Sequence, residues 1–299
     1  MPDPCPASGA LCAATRGLSY DDLLFAVSNH RMESPLPVSP VVMGFLPFDD
    51  GELAPRYLME GPDLLVMRLG VVSRTVPTAA VRRLMKARQQ DYERAHGAQM
   101  PAQHARQLKG DCITELLASA HASERDSLVF YQPSTGLMFV PEKGTTQIQA
   151  VVQALNRFVP ALAIKGLRPR PGVGELIKGW LTHDMFPDGV TPGRGLRMIT
   201  SKGATVSFRN AEMGAPEVLA HFDLDSEVQD IDLAVKIPQG TVTFAFSVNG
   251  MVRRLRVGDK VNAEGLAGLS LLLKQMDAYA QAVFPGLRVI YRAIASEPV

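Results

Sequence analysis

Five acidic residues crowd one short stretch: Asp223, Asp225, Glu227, Asp230 and Asp232 in HFDLDSEVQDIDLAV. Converging carboxylates could hold magnesium for phosphodiester hydrolysis, which makes a nuclease the enzyme class to weigh. In an extended chain, however, Asp223, Asp225 and Glu227 share one face while Asp230 and Asp232 share the other, so the five do not converge. An EF-hand is excluded, because neither its loop glycine nor its closing glutamate is in place. His30, His96, His104, His121, His183 and His221 never stand at HxxxH or HExxH spacing. Gly172-Val-Gly174 and Gly193-Arg-Gly195 lack the context of a phosphate-binding loop, and no GxSxG elbow occurs. Cys5, Cys12 and Cys112 have no CxxC spacing and no histidine neighbours, which gives neither a zinc site nor a disulfide framework. No catalytic residue, metal ligand or cofactor is assigned.

The cations are patterned more sharply. From Arg82 to Lys109 seven Lys and Arg residues (Arg82, Arg83, Lys86, Arg88, Arg94, Arg106 and Lys109) face only Asp91 and Glu93, a net +5 in a chain whose total is +1. At 100° per residue Val81, Leu84, Met85, Tyr92 and Ala95 form one stripe, with Arg82, Arg83, Lys86 and Arg94 opposite. Such a face attracts a polyanion, and a phosphate backbone is the commonest one. The plainer alternative is a solvated helix face. A second cationic set lies beside Asn249-Gly250, a strong hairpin signal. A two-residue turn there pairs Val248 with Met251, Phe246 with Arg253, Phe244 with Leu255 and Val242 with Val257. Arg254 and Arg256 would then share a polar sheet face without an acidic partner, and Arg253 would lie on the other.

These residues need elements to hold them. The chain has 299 residues, 46% hydrophobic and 20% charged, enough to bury a core and too apolar for disorder. No apolar run approaches the roughly 18–20 residues of a membrane span, and the N-terminus carries no signal-peptide pattern, so a cytoplasmic protein is expected. Residues 1–10, with Pro2, Pro4 and Pro6, read as an unstructured tail. Residues 11–77 and 122–299 read as a mixed body: a strand at Leu11–Thr15, a helix capped by Ser19, and strands at Val41–Leu46 and Asp63–Val72. Then a β-hairpin followed by a helix recurs three times, the last helix over about Ala263–Val283. Residues 78–121 read as an inserted helical hairpin, broken near Gly97–Pro101. The class is α+β with antiparallel sheets.

Several short stretches, in order and spacing, resemble the recombination-associated protein RdgC family. Gly44–Phe48 (GFLPF) is similar to the family's GWVPP, Val76–Val81 to its LPSPVI-type helix entry, and Leu108–His121 (LKGDCITELLASAH) to its LKDEVLHSLLPRAF. Thr135–Val140 is similar to NGLIMV, Glu175–Trp180 to a segment ending TEW, and Met251–Arg256 to the GSLKRLKF strand. The resemblance implies a protein without catalytic activity that binds double-stranded DNA without sequence preference. It implies a closed, ring-shaped homodimer whose positively charged hole encircles the duplex and limits access of the RecA recombinase. The DNA-binding residues would be Arg82, Arg83, Lys86, Arg94, Arg106, Lys109, Arg209, Arg254 and Arg256, and the dimer contacts His121, Leu117 and Asn210. The family's KLKKTEKDSLK is reduced here to Gly97–Lys109 with only Arg106 and Lys109 charged. Its LLPRAF has become LLASAH, with His121 at an aromatic position, and its KKQDL is Arg209–Met213 with one cation. Those losses keep open a dimeric interaction protein that no longer binds DNA, beside the nuclease on the 223–232 cluster.

Overall fold

The computed structural model describes residues 5–15, 17–33, 38–48, 55–222, 226–238, 240–258 and 268–295. Compactness divides the chain into two units. The first takes Met1–Asn29, Pro47–Arg68 and Ser127–Val299, and the second His30–Leu46 and Leu69–Asp126. Two of the four boundaries fall inside long strands, β4 (Leu64–Arg74) and β5 (Ala122–Gln132). The mixed α+β class with antiparallel sheets, expected from the recurring hairpins, is the one that forms.

In the first unit, β1 (Ala10–Ala14) lies between β6 (Leu137–Val140) and β7 (Ile164–Gly166), antiparallel to both, with Leu11 opposite Phe139. β5 adds to β6 with Phe130 opposite Phe139. β3 (Leu58–Gly61) folds back on β4 around Pro62-Asp63, and Asp63 accepts hydrogen bonds from the Ser134 amide (3.1 Å) and Gln132 Nε2 (2.9 Å). Helix α1 (Tyr20–Asn29) begins at Ser19, whose Oγ accepts the Asp22 amide as an N-cap should. The helix α4 (Thr145–Phe158) buries Ile148, Val151, Ala154 and Leu155, the i, i+3, i+4 rhythm of one apolar stripe.

A second sheet of five strands follows, in the order β12 (Val252–Val257), β11 (Gly240–Ser247), β10 (Ser226–Ile237), β8 (Val190–Thr200) and β9 (Thr205–Arg209). All four of its pairings are antiparallel. One face is apolar: Leu196, Met198, Ile231, Leu233, Phe244, Phe246, Val252 and Leu255 are buried in a continuous core with α5 (Val173–His183) and α7 (Gly268–Ile294). Trp180 of α5 packs in that core. The other face carries arginines and aspartates.

In the second unit, β2 (Val41–Leu46) pairs with β4, and α2 (Thr78–His96) and α3 (Ala102–Ser119) make the expected helical hairpin. Gly97 ends α2 in the left-handed region at φ 63°, a conformation that costs a residue with a Cβ roughly 1 kcal/mol. Val81 and Cys112 are buried, and Leu84, Met85 and Tyr92 half-buried; Ala95, placed on the same stripe by periodicity, is exposed.

Four expectations are corrected. Residues 6–10 are not a loose tail: Gly9 exchanges two backbone hydrogen bonds with Val252, the Leu255 amide donates to the Ala7 carbonyl, and the Tyr279 hydroxyl donates to the Pro6 carbonyl. Short strands β3 and β7 add to the strands expected of the body, since three or four residues carry too little alternation to register. The last helix does not end at Val283 but continues through Pro285 to Ile294; Leu287, Ile290, Tyr291 and Ile294, all fully buried, hold it past the missing amide. Residues 259–267, including the start placed at Ala263, lie outside the described residues.

The fourth correction is the hairpin register. Phe246 pairs with Val252 and Ala245 with Arg253, whereas Thr243 pairs with Arg256 and Val242 with Val257. The loop is therefore one residue longer than expected, with Gly250 at φ 84° and the Ser247 amide bonded to the Met251 carbonyl at 2.9 Å. A bulge at Arg254, whose φ is 54°, absorbs the extra residue and restores the expected pairing beyond it. Strict alternation is broken there, and Arg253 stands with Arg254 and Arg256 on the exposed face instead of opposite them.

Candidate nucleic-acid interface

In the second unit Arg82, Arg83 and Lys86 are exposed on α2 and have no acidic partner among the described residues. Arg82 and Lys86 are one turn apart, so their side chains project side by side. Arg94 is exposed but shares its charge with Asp91, three residues earlier on the same helix. Arg88 crosses to Glu115 of α3, tying the two helices together. Near the loop Tyr92 stacks on His96 at 4.1 Å and meets His104 edge-on at 6.3 Å. Arg106 and Lys109 are exposed on α3. His121 is exposed just beyond α3, but Leu117 is only 6% accessible within its own unit and has little surface to offer a second chain.

In the first unit the exposed face of the five-stranded sheet forms a groove of about 460 Å³. It is lined by Arg194, Arg197, Arg209, Arg253 and Arg254, with Asp230, Asp232 and Asn210, giving net +3. Register explains how they gather. Ala245 stands between Arg253 on one side and Asp232 on the other, Asp230 pairs with Arg197, Arg197 with Ser207, and Gly195 with Arg209. Ala245, Ser207 and Gly195, with short side chains or none, leave room on this face among the longer arginines of β12, β8 and β9. At a strand spacing of about 4.8 Å, the outer strands lie ~19 Å apart.

β8 bulges strongly against β10: between the pairs Leu196–Ile231 and Pro192–Leu233, β8 has three residues where β10 has one. Those three are Gly193, Arg194 and Gly195, and the one is Asp232. A Cβ at residue 193 would lie 2.6 Å from the Asp232 Cβ, and one at residue 195 would collide with its carboxylate. The glycines are there because the Asp232 side chain lies against their backbone. Arg194, between them, is exposed.

Both aspartates hold guanidinium groups. Asp230 pairs with Arg197 and with Arg253 (3.5 Å), and Asp232 with Arg254 (2.5 Å). The expectation that Arg254 lacks an acidic partner is therefore corrected. Burial pushes the Asp232 carboxyl above its ordinary range; Arg254 opposes that rise and the neighbouring Asp230 adds to it. Arg194, Arg209 and Arg256 have no ion pair among the described residues. Of the residues singled out from the sequence, the structure brings Arg209, Asn210 and Arg254 together in the groove, with Arg256 two residues further along β12. Asn210 follows β9 in the left-handed region at φ 55°. Glu227 is exposed on β10, and Asp223 and Asp225 lie outside the described residues.

Sequence reading missed Arg194, Arg197 and Arg253. Alternation along Leu196–Met198 places Arg197 opposite the buried Leu196 and Met198. Arg194 and Arg253 depend on bulges, which periodicity does not announce.

The fold and site define an α+β protein with a helical hairpin and an arginine-lined sheet groove. The family described as "Putative exonuclease, RdgC" matches residues 15–277. The chain belongs to the RdgC family. Among similar proteins, the "Recombination-associated protein RdgC" of Burkholderia ambifaria is 27% identical over 187 residues, covering 59% of this chain and 57% of that protein. The protein of the same description from Cupriavidus pinatubonensis is 23% identical over 159 residues, 52% of this chain and 53% of the relative. That from Xanthomonas oryzae pv. oryzae is 24% identical over 237 residues, 75% of each. The chain spans little more than half the length of the first of these relatives. No helix among the described residues is long and apolar enough to cross a membrane.

Proposed function

We propose that this protein binds double-stranded DNA without sequence preference and acts in recombination. The observation that carries the reading is the groove: five arginines converge on one exposed sheet face against two aspartates. Phosphate contacts position a duplex without reading it, and among the described residues the groove lining lies on strands and on Asn210 just after β9, with no helix in it. The free cations Arg82, Arg83 and Lys86 on α2 supply a second set of phosphate contacts. Relatives named as recombination-associated support the process in which the binding serves. In this reading the protein is a homodimer that closes around the duplex, with His121 and Asn210 at its contacts, and it limits recombinase access to DNA by occupying it.

The family's description as an exonuclease keeps a second reading in view, a magnesium-dependent nuclease on Asp230 and Asp232. Each of those carboxylates holds a guanidinium, which suits a counter-ion better than a metal ligand. Two assays separate the readings. Duplexes of equal length and unrelated sequence should bind within about twofold of one another, since each base mismatch costs a sequence reader about 1–3 kcal/mol. Supercoiled plasmid with magnesium should stay uncut. Large differences between the duplexes would refute sequence independence, and nicking that disappears in Asp230→Asn would establish the nuclease. Light scattering should give twice the monomer mass at micromolar concentration.

A further inference from the structure

The aspartates are the odd members of a cationic groove. A surface that only attracted phosphate would be stronger without them, yet the fold goes to some length to seat them. Asp232 lies against a Gly-Arg-Gly bulge that would not accommodate a Cβ on either side of Arg194. Its partner Arg254 sits in the left-handed region at φ 54°, a conformation uncommon for a residue other than glycine and often kept where function requires it. Asp230 is shared by two arginines from two different strands, Arg197 of β8 and Arg253 of β12. Three of the five groove arginines are thus held by two carboxylates, and Arg194 and Arg209 are left open.

We propose that Asp230 and Asp232 are built-in counter-ions that occupy the places of phosphate groups and are displaced when a phosphodiester backbone enters the groove. This rests on the reading of the groove as a DNA-binding face. Arg194 and Arg209 make the first contacts. Arg197, Arg253 and Arg254 then exchange an internal carboxylate for a phosphate, which they hold by bidentate, charge-assisted bonds. The exchange is accessible because the guanidinium side chains are 45–66% exposed, and ion pairs at such exposure are weak. Its consequence is a groove that holds DNA less tightly than its arginine count implies, so that the duplex is retained but not trapped. Every charged group lining the groove belongs to the mechanism: Arg194 and Arg197 from β8, Arg209 from β9, Asp230 and Asp232 from β10, Arg253 and Arg254 from β12.

The test is binding of a short fluorescent duplex across a salt series. Asp232→Asn should bind roughly three- to tenfold tighter than the parent protein, with log affinity falling more steeply against log salt by about 0.9 for each guanidinium released. Asp230→Asn should act in the same direction, which guards against a folding defect in either variant. Glu227→Gln removes the same charge from the same strand but not from the groove lining, and should change affinity little. Arg194→Ala should weaken binding and flatten the slope without lowering the melting temperature. Unchanged or weaker binding in both aspartate variants would overturn the proposal, as would an equal gain from Glu227→Gln, which would mark a general charge effect. Should the parent protein hold no duplex at all, the proposed function fails. The exchange is then read on heparin, where Asp232→Asn must still bind tighter and Glu227→Gln must not, or the proposal falls as well.

Discussion

Cys12 is fully buried in β1, and burial pushes its thiol up to about 12. Only a thiolate reacts readily with an electrophile, so this side chain packs and does no chemistry. Cys112 is also buried, while Cys5 is exposed. Maleimide at pH 8 should therefore modify one thiol rapidly in the native protein and all three after denaturation; fast labelling of Cys12 would contradict its place in the core. Asp277 of α7 is a different case. Burial raises its carboxyl pKa, a hydrogen bond from Gln281 opposes the rise, and the charge of Asp63 adds to it. A carboxyl with a raised folded-state pKa takes up protons more readily folded than unfolded, so its charge costs stability at neutral pH. That cost falls away as pH drops through the folded value toward the ordinary one. Asp277→Asn keeps an acceptor for Gln281 and should melt higher than the parent protein at pH 7, with the two curves meeting toward pH 4. A difference that grows on acidification would reverse the sign of the argument.

At the scale of elements, the β11–β12 hairpin decides which arginines face the groove. Its longer loop depends on Gly250, where a Cβ would face a positive φ and lie 3.1 Å from the Pro169 Cδ. Gly250→Ala should cost about 1–2 kcal/mol, and it should weaken DNA binding as well, because a shifted register moves Arg253. A variant of parental stability would show that the turn does not fix the register. Much of this was legible in the chain. The helical hairpin, the Ser19 cap and the apolar face of β11 follow from spacing and end signals alone. What was not legible came from compensation between neighbours. The loop and the Arg254 bulge cancel each other, so Val242–Val257 pairs as expected while Arg253 changes face. Pro285 reads as a helix end, and only the buried residues beyond it show why the helix goes on. The Asp230 and Asp232 pair reads as a metal site or nothing, because the arginines that hold it come from strands far away in sequence.

For the whole molecule, the central claim is that DNA is held by phosphate contacts and by nothing that reads bases. Each unit carries its own cations: α2 and α3 in one, the sheet groove in the other. Arg82, Arg83, Lys86 and Arg94 extend over about 18 Å of helix at 1.5 Å per residue, enough for a few phosphates. In the proposed reading the groove and a second subunit would supply the remainder. The most direct measurement is the salt dependence of duplex binding. Four to six phosphates neutralised at one time, a part of the cations a dimer would carry, predict a slope of log affinity against log salt of roughly −4 to −5. Replacing Arg82 and Arg83 together by Ala should flatten that slope by about one to four units, equally on unrelated sequences. A double variant whose slope equals that of the parent protein would show α2 to be only a solvated surface, and would contradict the account.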